Sequence, residues 1–203
     1  RGLLNTLGGN LPTLLLTPYF GLMEVGFFGM ALTLSFRPIN IVCSSLYQVL
    51  YQKVTDRVNE NKSVLSLLGK FLLRIGSVTL LLFAVLYVLM PYIVSFLLGN
   101  EWIVVSDYIR IFLPWLFFVV LNTSLSFLPD VFCKQSIYLL FEIVYILLRL
   151  SALLIGVRAN SMHSALLLFS MIGASVLLAE LCWFIYMVVR YEKQREQVGD
   201  TSK

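Results

Sequence analysis

The run IGSVTLLLFAVLYVLMPYIVSFLLGN at positions 75–100 holds 26 consecutive residues without Asp, Glu, Lys, Arg or His. At ~1.5 Å rise per residue, about 20 residues cross the ~30 Å hydrocarbon core of a bilayer, so this run predicts a transmembrane helix. Runs of the same kind lie on both sides of it. Positions 2–23 and 111–129 are uncharged, 25–52 carries only Arg37, 136–157 only Glu142 and Arg149, and 159–189 only Glu180. None is long enough to cross twice. The expectation is an all-α integral membrane protein with six transmembrane helices near 2–23, 25–52, 75–98, 107–129, 136–157 and 162–189, followed by a charged tail at 190–203 that frays from the last helix.

Composition agrees. Of 203 residues, 59% are hydrophobic and 13% charged, against about 25% charge in soluble domains, which excludes a water-soluble globular domain. The net charge of +4 does not mark a nucleic-acid interface, because the basic residues sit between the apolar runs. Eleven of the 15 fall on the side of the chain ends, only Arg110 and Arg158 fall opposite, and Arg37 and Arg149 lie inside spans. By the positive-inside rule both ends are cytoplasmic. The polar stretch 54–62 is expected as an interfacial helix or loop. Cys43, Cys133 and Cys182, an odd number without metal-ligand spacing, read as buried small hydrophobes. The chain starts at Arg1 rather than methionine and enters an apolar run at Gly2, so it is expected to be part of a longer protein.

A membrane enzyme needs a convergent acid, base, nucleophile or metal-ligand set. The only histidine is His163, no metal-binding His pair is present, and no phosphate-binding Gly-rich loop occurs. The reading is therefore a non-enzyme with no cofactor, no metal and no catalytic residue. What remains is a small set of ionisable groups within spans, which by default mark a pathway or cavity. Arg37 stands 12 residues into the second span, about 18 Å along the helix. Pro38 removes the hydrogen bond to the Leu34 carbonyl and predicts a helix break, with Asn40 adding a polar group. Two readings stay open: a cavity-lining cation, or a kinked helix whose arginine is satisfied by carbonyls and a buried acid. Glu142 and Arg149, seven residues apart, fall on one helical face about 10 Å apart and suit one wet stripe. Glu180, two turns before the cytoplasmic end of the last span, either reaches the interface or pairs with a neighbour, and has no assigned role. Trp102, Trp115, Tyr92, Tyr108 and Tyr191 read as interfacial anchors.

Several strings then combine. Asn10-Leu-Pro12, Tyr19-Phe-Gly21 with Val25-Gly26, Gln48-Val-Leu-Tyr-Gln-Lys53, Leu98-Gly-Asn-Glu-Trp102, Leu113-Pro-Trp115, Lys134-Gln135 and Phe141-Glu142 occur in order between the spans. The set resembles the C-terminal six-helix half of bacterial Wzx-type polysaccharide flippases, in the multidrug/oligosaccharidyl-lipid/polysaccharide exporter superfamily. The first two strings resemble that family's seventh helix, tight external turn and start of the eighth. The resemblance implies one lobe of a two-lobed transporter of about twelve helices, the N-terminal lobe lying outside this chain. It implies translocation of lipid-linked oligosaccharide, usually on undecaprenyl diphosphate, across the inner membrane for O-antigen, capsule or exopolysaccharide assembly. Other glycan-assembly membrane proteins are possible partners. A diphosphate with a hydrophilic glycan needs a wet cationic path, for which Arg37 and Arg149 are the candidates. The alternatives are a cation-coupled drug or small-solute antiporter of the same superfamily, with Glu142 as coupling acid, and a non-transporting membrane scaffold of glycan assembly.

Overall fold

The computed structural model describes residues 2–60 and 62–200, with side chains described from 11 onward except at 61, 196 and 198–200. Arg1 and Lys203, both counted in the charge bias, the end of the expected tail and the side chain of Asn10 lie outside the described residues. Apart from short connections, the described residues are helical: α1 Gly2–Asn59, α2 Leu65–Leu98, a 3-10 turn Asn100–Trp102, α3 Ile103–Leu125, the short α4 Leu128–Val131, α5 Gln135–Arg158 and α6 Met162–Asp200.

Five segments are long and apolar enough to cross a membrane, at 11–59, 65–98, 100–131, 135–158 and 162–195, where the sequence predicts six spans. The difference lies in α1, which joins the first two predicted spans. The expected turn between them is reduced to one residue, Gly21, whose φ of 76° and ψ of 167° are the only non-helical dihedrals within α1. A side chain would be strained there, and glycine has no Cβ to resist it. Pro38, by contrast, does not break the helix: the backbone stays helical through it, as it does through Pro12 and Pro18. Proline deletes one donor, and the hydrogen bonds of the flanking turns hold the helix together across the gap.

The helices also outrun the apolar stretches. The polar stretch after Lys53 continues α1 to Asn59, and α2 starts at Leu65, which leaves only a short connection. Nor does the last helix fray after 190, since α6 runs on to Asp200. A physical reason is visible in its contacts. The Glu192 carboxylate accepts hydrogen bonds from the backbone N–H groups of Val64 (2.6 Å) and Leu65 (2.9 Å), while Arg195 donates to the Lys62 carbonyl at 3.1 Å. The first N–H groups of a helix have no partner within it, and those of Val64 and Leu65 lack a local side-chain acceptor, Ser63 Oγ serving the Ser66 N–H at 3.3 Å. A carboxylate from the end of α6 supplies one.

The most enclosed helix is α3, which packs on α1, α2 and α6, while α5 packs chiefly on α6. Asn122 of α3 donates to the Leu177 carbonyl of α6 at 3.0 Å, and Ser170 of α6 donates to the Ile111 carbonyl at 2.6 Å. Such interhelical bonds matter where apolar packing alone cannot distinguish protein from lipid. At the opposite end of α5 from Lys134, a Cβ on Gly156 would stand 2.2 Å from the Ala165 Cα, so the crossing of α5 and α6 depends on that glycine. Phe28, Phe112, Trp115 and Phe169 form an edge-to-face and tilted aromatic core.

Three expectations change here. Trp115 is 1% exposed and central rather than an interfacial anchor, and Tyr108 is buried with its hydroxyl donating to Glu24 at 2.5 Å. Of the cysteines only Cys43 is buried; Cys133 and Cys182 are exposed. Leu73, Val78, Leu80, Leu81, Val88 and Phe96 of α2 are exposed as well. A stripe of that size is unfavourable in water and suits hydrocarbon.

Candidate functional site: a cavity with a caged arginine

Between α1, α3, α5 and α6 lies a cavity of about 640 Å³. Its wall carries Asn40, Asn122, Glu142, Tyr145, Arg149 and Glu180 among apolar and aromatic side chains. The cavity therefore gathers three of the four charged residues that the apolar runs contain, Glu142, Arg149 and Glu180.

Arg149 is the centre of it. Its guanidinium carbon lies 3.7 Å from the Phe169 ring centroid, 4.0 Å from that of Trp115 and 4.7 Å from that of Tyr145. Electron-rich ring faces attract a cation and do so more strongly where water is scarce. One amino group donates to the Tyr145 hydroxyl at 2.9 Å, and the same hydroxyl accepts from Trp115 Nε1 at 2.8 Å. The Arg149 Nε is buried without a hydrogen-bond partner. No carboxylate among the described residues forms an ion pair with this guanidinium. A glycine makes room for the arrangement: a Cβ on Gly173 would stand 2.9 Å from Trp115 Cδ1 and 3.4 Å from Arg149 Nε. The result is a positive charge fixed by aromatic rings, with donor capacity left over. Such a group can receive an anion.

The carboxylates are arranged differently. Glu142 lies on α5 and Glu180 on α6, both on the cavity wall and near enough to interact electrostatically. Glu180 is 5% exposed, so it does not reach an interface, the first of the two placements the sequence leaves open. Its signal was there to be found: an acid at 180 inside the apolar run 159–189 is costly unless something polar surrounds it. Asn122 Oδ1 is also buried with no partner.

Of the candidates from sequence, Asn40, Glu142 and Arg149 share this cavity, and Arg37 does not. Leu32, Thr33, Phe36 and Asn40 line it from α1. At about 100° per residue, they cover an arc of one helix face, and Arg37 falls just past the edge beyond Thr33. Its side chain is exposed, and among the described residues it has no hydrogen-bond or ion-pair partner. Pro38 is exposed too and lies off the wall. The helix continues through it, so no freed break directs Arg37 inward.

Pro12 also lines the cavity. On a straight helix it would be about 42 Å from Asn40, so the kink at Gly21 brings the first part of α1 back beside the second. No curated protein and no solved structure matches the chain. The profile described as polysaccharide biosynthesis protein matches residues 1–107, the stretch that holds the Gly21 kink, one wall of the cavity and all of α2. On that match, the chain belongs to the polysaccharide biosynthesis protein family.

Proposed function

We propose that the chain is a six-span lobe of a flippase that moves lipid-linked oligosaccharide across the bacterial inner membrane for O-antigen, capsule or exopolysaccharide assembly. The observation that carries this reading is the caged Arg149 beside the cavity. A diphosphate head bearing a glycan cannot enter hydrocarbon, and a fixed cation with spare donors on a polar wall offsets part of its desolvation. Membership of the family and helices of membrane-crossing length support the same reading, as does the resemblance to Wzx-type proteins.

Six spans follow if α1 crosses twice. A straight segment of 49 residues would be about 74 Å long, more than twice the hydrocarbon thickness, and the shared cavity wall of Pro12 and Asn40 favours reversal at Gly21. The eleven-to-two bias of basic residues then puts both ends in the cytoplasm. A second lobe opposite this cavity would complete the path, an undecaprenyl diphosphate-linked glycan would be the substrate, and other glycan-assembly membrane proteins would supply or receive it. The chain itself makes or breaks no bond in this scheme.

A second reading, a cation-coupled antiporter of the same superfamily, is favoured by the two acids Glu142 and Glu180 on one wall. Leaflet-specific detection of the lipid-linked glycan in a deletion strain separates the two. A flippase defect strands the intermediate on the cytoplasmic face, and the native gene restores it. Normal arrival at the periplasmic face in the deletion strain would overturn the proposal, and would leave the antiporter or a scaffold role.

A further inference from the structure

We infer that a second groove, at the Lys134 end of α5, binds the headgroup of an anionic phospholipid. The groove measures about 290 Å³ and is lined by Phe132, Lys134, Trp183, Tyr186, Arg190 and Tyr191. It lies between the turn that follows α4 and the face of α6. The Phe132 and Tyr191 rings, 4.8 Å apart, tie the turn to α6.

Three observations point to the same occupant. The first is charge. Lys134 and Arg190 flank the groove, and both are exposed. No acid lines the groove. Two cations on a groove that no acid lines favour an anion there. The second is backbone. Lys134 is the residue that caps the N-terminus of the 24-residue α5, and no side chain caps it, so the free amides of that first turn add donors beside Lys134. The third is depth. Trp183, Tyr186 and Tyr191 are aromatic residues at the point where the apolar run ends and the charged stretch Arg190-Tyr-Glu-Lys193 begins, the composition of a headgroup-level belt. Apolar rings below and cations above match a lipid with tails in hydrocarbon and a phosphate at the surface. A soluble anion would use only the upper half.

The inference is independent of transport. It needs only that α5 and α6 cross a membrane, and the transport reading can fail without touching it. The test is native mass spectrometry of the full chain released from nanodiscs, either of phosphatidylcholine alone or of phosphatidylcholine with phosphatidylglycerol. Wild type should retain phosphatidylglycerol over phosphatidylcholine. The double change Lys134→Gln with Arg190→Gln should lower that retention about tenfold, while Lys134→Arg with Arg190→Lys should keep it. Lys70→Gln with Arg74→Gln, on α2 away from the groove, should leave it unchanged. Equal retention of both lipids by wild type would overturn the inference. So would undiminished phosphatidylglycerol in the double Gln variant, or displacement of the lipid by soluble glycerol phosphate at equal concentration. Because both side chains are exposed, the thermal midpoint of the Gln variant in pure phosphatidylcholine should equal that of wild type.

Discussion

The guanidinium of Arg149 lies 4.0 Å over the Trp115 ring, and the two side chains are further joined through one hydroxyl, Tyr145, which accepts a hydrogen bond from each. Arginine and tryptophan hold each other in place without an acid. The flat guanidinium stacks on rings, and its remaining N–H groups stay available.

Arg149→Lys should therefore behave unlike a conservative change. An ammonium retains charge but stacks poorly and loses the planar donor fork. Glycan export should fall by an order of magnitude or more while protein abundance stays close to wild type. Arg149→Met should abolish export with abundance again retained, because no buried carboxylate is stranded by the loss. Quantitative immunoblotting of membranes alongside surface glycan measurement checks both. Export at wild-type level in Arg149→Met would remove Arg149 from the substrate path.

Gly173→Ala tests the cage from behind. Its Cβ would press on Trp115 at 2.9 Å, a distance at which something must move, and Trp115 and Arg149 are the groups in its way. The variant should insert normally, shift the tryptophan emission and lower export. Gly69→Ala, where a Cβ meets nothing within 4 Å, should do none of these.

Gly156→Ala acts on packing instead. A methyl group 2.2 Å from the Ala165 backbone forces α5 and α6 apart, with an overpacking cost of about 1–3 kcal/mol. Thermal unfolding of the purified protein should show a lowered midpoint, larger than for Gly173→Ala, where side chains rather than backbone can yield.

Glu192→Ala removes the carboxylate that caps α2. Two charge-assisted hydrogen bonds at 2.6 and 2.9 Å are lost, and the expected destabilisation is about 1–2 kcal/mol. Hydrogen exchange should quicken at the first turn of α2 and leave α3 unaltered. Glu192→Gln, which retains an acceptor oxygen, should lose about half as much.

Arg37→Ala should leave protein abundance unchanged, because the exposed side chain has no buried acid to abandon. Loss of abundance would place an acid against it that lies outside the described residues. Loss of export alone would assign the arginine to a surface that meets substrate or a second lobe.

The all-helical character and the membrane-crossing length of the segments were legible in residue order, because uncharged runs near 20 residues have one economical solution in lipid, with every backbone group bonded inside its own helix. Glu142 and Arg149 could be assigned to one face because seven residues make two turns. Tertiary structure decided the rest. Whether Glu180 reaches an interface or a cavity depends on which face of α6 meets α5. Whether Trp115 anchors or cages depends on Gly173, in a helix more than fifty residues away. Arg37 shows the limit most clearly: depth along a helix can be counted in sequence, but rotation about its axis is set by packing, and about 40° of rotation separates the cavity wall at Thr33 from the exposed edge at Arg37. Even the tail was held by a contact no local pattern encodes, the Glu192 carboxylate bound to amides 127 and 128 residues earlier.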